Sequence, residues 1–196
     1  MNQSAPRIYL ASRSPRRREL LAQIGVGHAL LDVEVDESWD GEEPPRAHVM
    51  RLALEKARRG WADVATTRPL PVLAADTVVV LDDAILGKAE QVHDAVAMLK
   101  RLSGRSHRVY SGVALIDLRG EARSVVNMSR VVFRALSAEE IRAYCDTGEP
   151  LGKAGGYAIQ GRAAAFIERL EGSYSGVMGL PLYETAALLR AAAVPL

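Results

Sequence analysis

Residues 72–81 read VLAADTVVVL, and only Asp76 and Thr77 interrupt the apolar run. A run this short and this rich in valine predicts a central strand covered on both faces. A carboxylate inside such a strand is expensive to bury alone. Asp76 must therefore meet a cation, a metal or a cluster of donors, or lie where the strand opens on a cleft. Two readings stand side by side: a buried ion pair with Lys56, or Mg²⁺ on Asp76 with Lys56 turned toward a phosphate.

Toward the N-terminus, Ile8 to Ala11 predicts a short buried strand. Ser14 then offers an N-cap, Pro15 takes the first helical position, and Leu20, Leu21 and Ile24 share one face before Gly25 stops the helix. Residues 30–35 predict a second strand. Pro44 and Pro45 open a helix running to about Arg59, in which Val49, Leu52, Ala53 and Lys56 follow the i, i+3, i+4, i+7 spacing and set Lys56 beside the buried stripe.

Toward the C-terminus, a helix is expected over Val92 to Leu102. Two β-rich runs, 107–117 and 123–133, follow, with Gly120 in the turn between them. Ser137 and Glu140 form a capping box that starts the next helix, and Gly148 ends it. Residues 148–162 read as turns, Ala165 to Leu170 as a strand, and Gly172 to Gly179 as a glycine-rich loop. Pro181 opens a last helix through Arg190. The pattern is α/β: one domain over 1–196, an elongated mixed sheet wrapped by helices, with a deep cleft between two lobes.

The 196 residues carry 25 Lys+Arg against 24 Asp+Glu, a formal charge of +1, and 5% aromatic residues. That balance argues against a nucleic-acid binder, which needs a basic face. Cys145 is the single cysteine, and four scattered histidines without CxxC or HExxH spacing exclude disulfide scaffolds and structural zinc. No apolar run approaches the roughly 20 residues of a membrane span, and residues 1–6 lack a signal-peptide core. A cytoplasmic protein is expected.

Three further segments bear on chemistry. Ser12–Arg17 follows a strand and opens a helix, so backbone N–H groups, the helix dipole and arginine forks combine as an anion seat. Three consecutive arginines oppose the dipole, so helix stability does not explain them. Residues 32–43 hold seven acids in twelve positions, Asp32, Glu34, Asp36, Glu37, Asp40, Glu42 and Glu43. Most are expected in a solvated loop, with Glu37 or Asp36 as candidates for a divalent cation. Lys88 after Gly87, and Lys153 in the glycine-rich stretch 152–156, are loop lysines of the kind that cover phosphate, although solvation is their default. No Walker GxxxxGK[ST], GxSxG elbow or Ser-His-Asp arrangement is present, and the histidines receive no role.

In combination these segments resemble the Maf-like (septum formation inhibitor Maf) family of nucleoside triphosphate pyrophosphatases over almost the whole chain. The matching blocks are LASRSPRRRELL at 10–21, VDE at 35–37, RLALEKA at 51–57, LAADTVV at 73–79 and GK at 87–88. LSGRSHRVYSGVAL at 102–115, GKAGGYAIQG at 152–161 and GSYSGVMGLPL at 172–182 complete the set. The resemblance implies the fold of inosine-triphosphate pyrophosphatases, a homodimer, and cleavage of a nucleoside triphosphate between the α and β phosphates with a divalent metal cation such as Mg²⁺.

By the same resemblance, phosphate and metal handling fall on Ser12, Arg16, Arg17, Glu37, Lys56, Asp76 and Lys88, with Asp76 as proton acceptor or metal ligand. Arg16, Thr77 and Gln160, in the GGYAIQG form, resemble the dTTP/UTP pyrophosphatase branch. Ala89 departs from relatives that place Pro after the GK pair, which implies a looser loop around Lys88. The competing function is a nucleotide-binding regulator of cell division with little or no turnover.

Overall fold

The computed structural model describes residues 5–196. Residues 1–4 of the stretch judged against a signal peptide lie outside that range. Among the described residues seven strands form one mixed sheet, in the hydrogen-bonded order β2-β1-β3-β5-β6-β7 with β4 paired to β3 off that path. The strands are β1 (Ile8–Ala11), β2 (His28–Leu31), β3 (Val72–Leu81), β4 (Ala84–Leu86), β5 (Ser106–Ile116), β6 (Ala122–Phe133) and β7 (Ile167–Glu171). The helices are α1 (Pro15–Gln23), α2 (Pro45–Val64), α3 (Val92–Leu102), α4 (Ala138–Cys145), α5 (Tyr174–Met178) and α6 (Leu182–Ala191). β1 pairs in parallel with β2 and β3, whereas β3/β4 and β6/β7 are antiparallel. This is the mixed α/β sheet that the alternation predicted.

The chain divides into two compact units. The first runs to Asp76 and adds Ser111–Asn127 and Gly179–Leu196; the second comprises Thr77–Tyr110 and Met128–Met178. In the first unit α2 lies unusually close to the strands because its facing side is small. Ala53 and Ala57 are buried with Ala11, Val72, Ala74 and Ala114. A methyl group on Gly60 would stand 3.1 Å from the side chains of Leu31 and Val72. On the β5 side, a methyl on Gly112 would stand 2.4 Å from the Val49 carbonyl oxygen, so helix backbone rests directly on strand backbone. One turn before Gly60, this close approach buries Lys56 to 7% exposure.

The second unit packs β3, β5 and β6 residues against α3 and α4 around Phe133. His107 and Tyr157 meet the Phe133 ring edge-to-face at 5.1 and 5.0 Å, and Tyr144 meets Phe166 in the same way at 5.2 Å. Offset and edge-on rings of this kind add to simple burial.

Several boundaries differ from expectation, each for a local reason. β2 spans 28–31 instead of 30–35, since its parallel register is set by the four residues of β1 and ends where Asp32 turns to Arg13. α2 continues past Arg59 to Val64, because Gly60 is a packing contact and not a stop. β4 was unforeseen: Asp82 and Asp83 both adopt positive φ, 51° and 65°, the geometry of a two-residue hairpin turn. The loop at 172–179 contains α5, whose first turn is tied by the Ser173 hydroxyl accepting the Gly176 N–H at 2.9 Å. Residues 162–166 form a 3-10 turn before β7. Ser14 occupies the N-cap of α1 without a side-chain capping bond. Its N–H is taken at 3.2 Å by the Ser12 hydroxyl.

Candidate active site

The first unit builds its site around Lys56. The lysine Nζ donates to Asp76 Oδ1 at 2.8 Å and pairs with Glu37 Oε1 at 2.6 Å. Asp76 is 7% exposed, on the last residue of β3 within this unit, whereas the Glu37 side chain is 41% exposed. Burial of a carboxylate is thus offset by an ammonium delivered from the close-packed face of α2. Of the two readings opened by the sequence, the structure shows the ion pair, and it adds a second carboxylate, Glu37, to the same ammonium.

Arg17 comes to the same place from the start of α1. Its Nη1 donates to the Ser12 hydroxyl at 3.1 Å, and its Nε to the Gly179 carbonyl at 2.9 Å. Burial lowers its pKa; Asp76 and Glu37 raise it, and Arg16 lowers it. Arg17 thus feels both acids that pair with Lys56, and Arg16 beside it in the same turn. Burial also lowers the pKa of Arg16, with Glu19 opposing. Three positive and two negative side chains leave one net positive charge beside the uncapped start of a helix without acidic residues in its first turn, an arrangement suited to phosphate.

The acidic run is the largely exposed loop that was expected, with only Glu43 of its seven acids partly buried, and within it the acids are sorted by their partners. Arg13, in the same arginine-rich turn, points away from the site and holds Asp32 and Glu34. Asp36 accepts the Ser38 N–H and Asp40 accepts those of Glu42 and Glu43, which lowers the pKa of both aspartates. Glu43 accepts from Arg51 Nη2 at 2.9 Å and lies 3.0 Å from His48 Nδ1. Arg51 Nη2 also reaches the Ser38 carbonyl at 3.4 Å, and Trp39 Nε1 donates to the Glu43 carbonyl at 2.8 Å. Glu37 is left as the acid aimed at Lys56, on a loop pinned to the helix that carries that lysine. The pinning by Glu43, His48 and Arg51 was missed, since nothing in their spacing marks it.

The remaining candidates belong to the second unit. Thr77 follows Asp76 on β3 and is half-buried. Lys88 is exposed and bridges Ala154 in antiparallel fashion, while the Ala89 N–H donates to the Lys153 carbonyl at 3.2 Å. Proline cannot make that bond, so Ala89 ties the loop by a hydrogen bond that a proline there would lack. Lys153 spends its ammonium on the carbonyls of Glu149 and Leu151. Gln160 is exposed at the end of an otherwise buried run, 155–159.

Among the described residues no group of three or more His, Cys, Asp or Glu side chains is arranged to hold a metal. Two carboxylates meeting on one cation nevertheless fit Mg²⁺, which commonly takes one or two carboxylates and completes its octahedron with substrate phosphates and water. The donor set therefore suits a cation that arrives with a phosphate ligand.

The chain matches the family described as Maf-like protein over residues 7–192. It belongs to the Maf-like family. A dTTP/UTP pyrophosphatase of Alkalilimnicola ehrlichii is 56% identical over 187 residues, covering 94% of this chain and 92% of the relative. Proteins of the same description from Bordetella parapertussis and Burkholderia thailandensis are 51% and 52% identical, over 96% and 97% of this chain and 94% and 95% of theirs. Among solved structures, a HAM1 protein from Coxiella burnetii is similar over 94% of this chain and 98% of its own, with a TM-score of 0.51 at 16% identity. At that identity the likeness concerns the fold alone. No described helix of this Maf-like protein is long and apolar enough to cross a membrane.

Proposed function

We propose that the protein hydrolyses dTTP and UTP between the α and β phosphates, giving the nucleoside monophosphate and pyrophosphate. The observation that carries this reading is the Lys56 ammonium shared by Asp76 and Glu37, with Arg17 under the influence of both acids. The dTTP/UTP pyrophosphatases that share half of its sequence supply the substrate class.

In-line attack needs a positioned water, an acceptor for its proton and neutralisation of charge on phosphate oxygens. Water oxygen bonds to the α phosphorus, the bond to the α–β bridging oxygen breaks, and pyrophosphate departs. Asp76 orients the water and takes its proton. Arg16, Arg17 and Lys56 hold phosphate oxygens, aided by the Ser12–Arg17 turn. A divalent cation, Mg²⁺ in this proposal, held by Glu37 and Asp76 would supply charge neutralisation. Lys88 as a phosphate group, and Thr77 and Gln160 as base-selecting groups, enter on the family resemblance. A Gln amide both donates and accepts, which matches N3–H and O4 of uracil or thymine. A cytoplasmic homodimer completes the proposal.

A panel of dTTP, UTP, CTP, ATP and GTP with Mg²⁺, with monophosphate, pyrophosphate and phosphate quantified separately, tests it. Equimolar monophosphate and pyrophosphate from dTTP and UTP is expected. Stepwise phosphate release, or tight binding without turnover, would overturn it, the second in favour of a nucleotide-binding regulator.

A further inference from the structure

Gln160 is exposed, yet its backbone is more tightly anchored than an exposed turn requires. Two residues before it, the buried Ala158 N–H donates to the Tyr144 phenol oxygen at 3.2 Å. Two residues after it, the Arg162 N–H donates to Glu149 Oε2 at 3.1 Å. The two acceptors are themselves joined, since the Tyr144 hydroxyl donates to Glu149 Oε1 at 2.9 Å. The Gly161 N–H closes the turn on the Ala158 carbonyl at 3.0 Å. A methyl on Gly161 would stand 2.2 Å from the Glu149 carboxylate and would push it out of its present place. Tyr144 is in turn rooted in the core, 4% exposed and packed on Phe166.

The buried Ala158 N–H needs an acceptor in any case, but the exposed Arg162 N–H would be satisfied by water without the Glu149 tie. Reading a base edge does need it. A hydrogen bond weakens steeply as its angle departs from linear, and an amide that must place one donor and one acceptor together has to be held in plane. We propose that Tyr144 and Glu149 are positioning residues for base selection: they clamp the backbone on both sides of Gln160 and hold its amide for a pyrimidine that presents N3–H and O4. The inference rests on the reading of Gln160 as the base-selecting group.

The test compares UTP with CTP, which share every phosphate contact and differ in the base edge, so the ratio of their kcat/KM values cancels general damage. Glu149→Met removes both acceptors while keeping bulk, Tyr144→Phe removes the Ala158 acceptor, and Glu149→Gln keeps one acceptor. E149M and Y144F are expected to lower the UTP:CTP ratio about tenfold, the scale of one imperfect hydrogen bond, and E149Q by less. In a Gln160→Ala background, E149M is expected to change the ratio no further. E149Q, which preserves shape, and Y144F carry the test if E149M melts below the assay temperature. An unchanged ratio in folded E149Q and Y144F, with Q160A lowering it, overturns the clamp and leaves the base-reading role standing. If Q160A itself leaves the ratio unchanged, the base-reading role falls and the clamp with it.

Discussion

Replacing Asp76 by Asn separates chemistry from architecture. The substitution keeps the shape of a residue 7% exposed, and the Asn oxygen can still accept from Lys56 Nζ, which stands 2.8 Å from Asp76 Oδ1. Lys56 also keeps Glu37 at 2.6 Å, so no buried charge is stranded. The structural cost is then the difference between a hydrogen bond charged on both sides and one charged on the donor alone, about 1 kcal/mol. For a chain of this length that lowers Tm by about 2–4 °C, far short of unfolding a domain with roughly 5–15 kcal/mol in hand. The catalytic cost is larger: loss of a proton acceptor or of one preorganised charge lowers kcat by about 100- to 10,000-fold. Melting curves and UTP turnover, measured across a Mg²⁺ titration, give both numbers. A deficit that shrinks as Mg²⁺ rises assigns Asp76 to metal holding, and a constant deficit assigns it to the proton. A folded Asp76→Asn enzyme that retains more than about a tenth of wild-type kcat refutes the assignment.

Arg51→Met releases Glu43 and the Ser38 carbonyl. It is expected to raise the Mg²⁺ needed for half-maximal turnover about tenfold, the scale of a lost charge-assisted bond, with Tm nearly unchanged; wild-type Mg²⁺ dependence would show that the loop needs no such tie. Gly112→Ala sets a methyl against the Val49 carbonyl and should cost about 1–3 kcal/mol, read as a fall in Tm, and reduce activity by displacing the helix that carries Lys56. Burial pushes the His107 imidazole down to about 4, below its ordinary value of about 6.5. The unfolded chain therefore takes up this proton first, and stability is full above about pH 6.5 and drains away as pH falls toward 4, by up to about 3 kcal/mol. The Tm advantage of wild type over His107→Gln should shrink over that window, and parallel Tm curves would show that His107 is not the titrating group.

How much of this was legible follows from where the information lies. β3 was read with its ends intact because its signal is dense and local: nine of the ten residues are buried. The α4 start was equally clear, since Ser137 and Glu140 exchange both bonds of the capping box within four residues. Lys56 on the buried side of α2 followed from periodicity. What could not be read is the partnership of groups far apart in sequence. Arg13 and Arg17 sit four positions apart in one basic turn, yet Arg13 goes to Asp32 and Glu34 while Arg17 turns to Ser12 and the Gly179 carbonyl. By composition the acids look alike from 32 to 43; the VDE block singled out Glu37, but that Glu43 would instead hold Arg51 and His48 is seen only in the fold. The helix was expected to end at about Arg59, just before Gly60, whose meaning lies in Leu31 and Val72, which it allows to approach.

Of the two readings of Asp76 that the sequence left open, the structure shows the ion pair with Lys56, and the number of acids on Lys56 keeps the proposed metal role compatible with it. Had Asp76 been the sole partner, drawing its carboxylate toward water or a cation would leave a buried ammonium alone, a loss of about 3–5 kcal/mol. Glu37 changes that balance. With a second carboxylate at 2.6 Å, release of Asp76 costs about one charge-assisted hydrogen bond, roughly 1.5–3 kcal/mol. Contacts to phosphate oxygens from Lys56 and Arg17 are of the same size and can offset it. In the proposed mechanism the more exposed acid would hold the lysine while the more buried one reacts. That proposed division rests on the 41% exposure of the Glu37 side chain against 10% for that of Asp76, and under it a single buried ion pair would serve stability but not turnover.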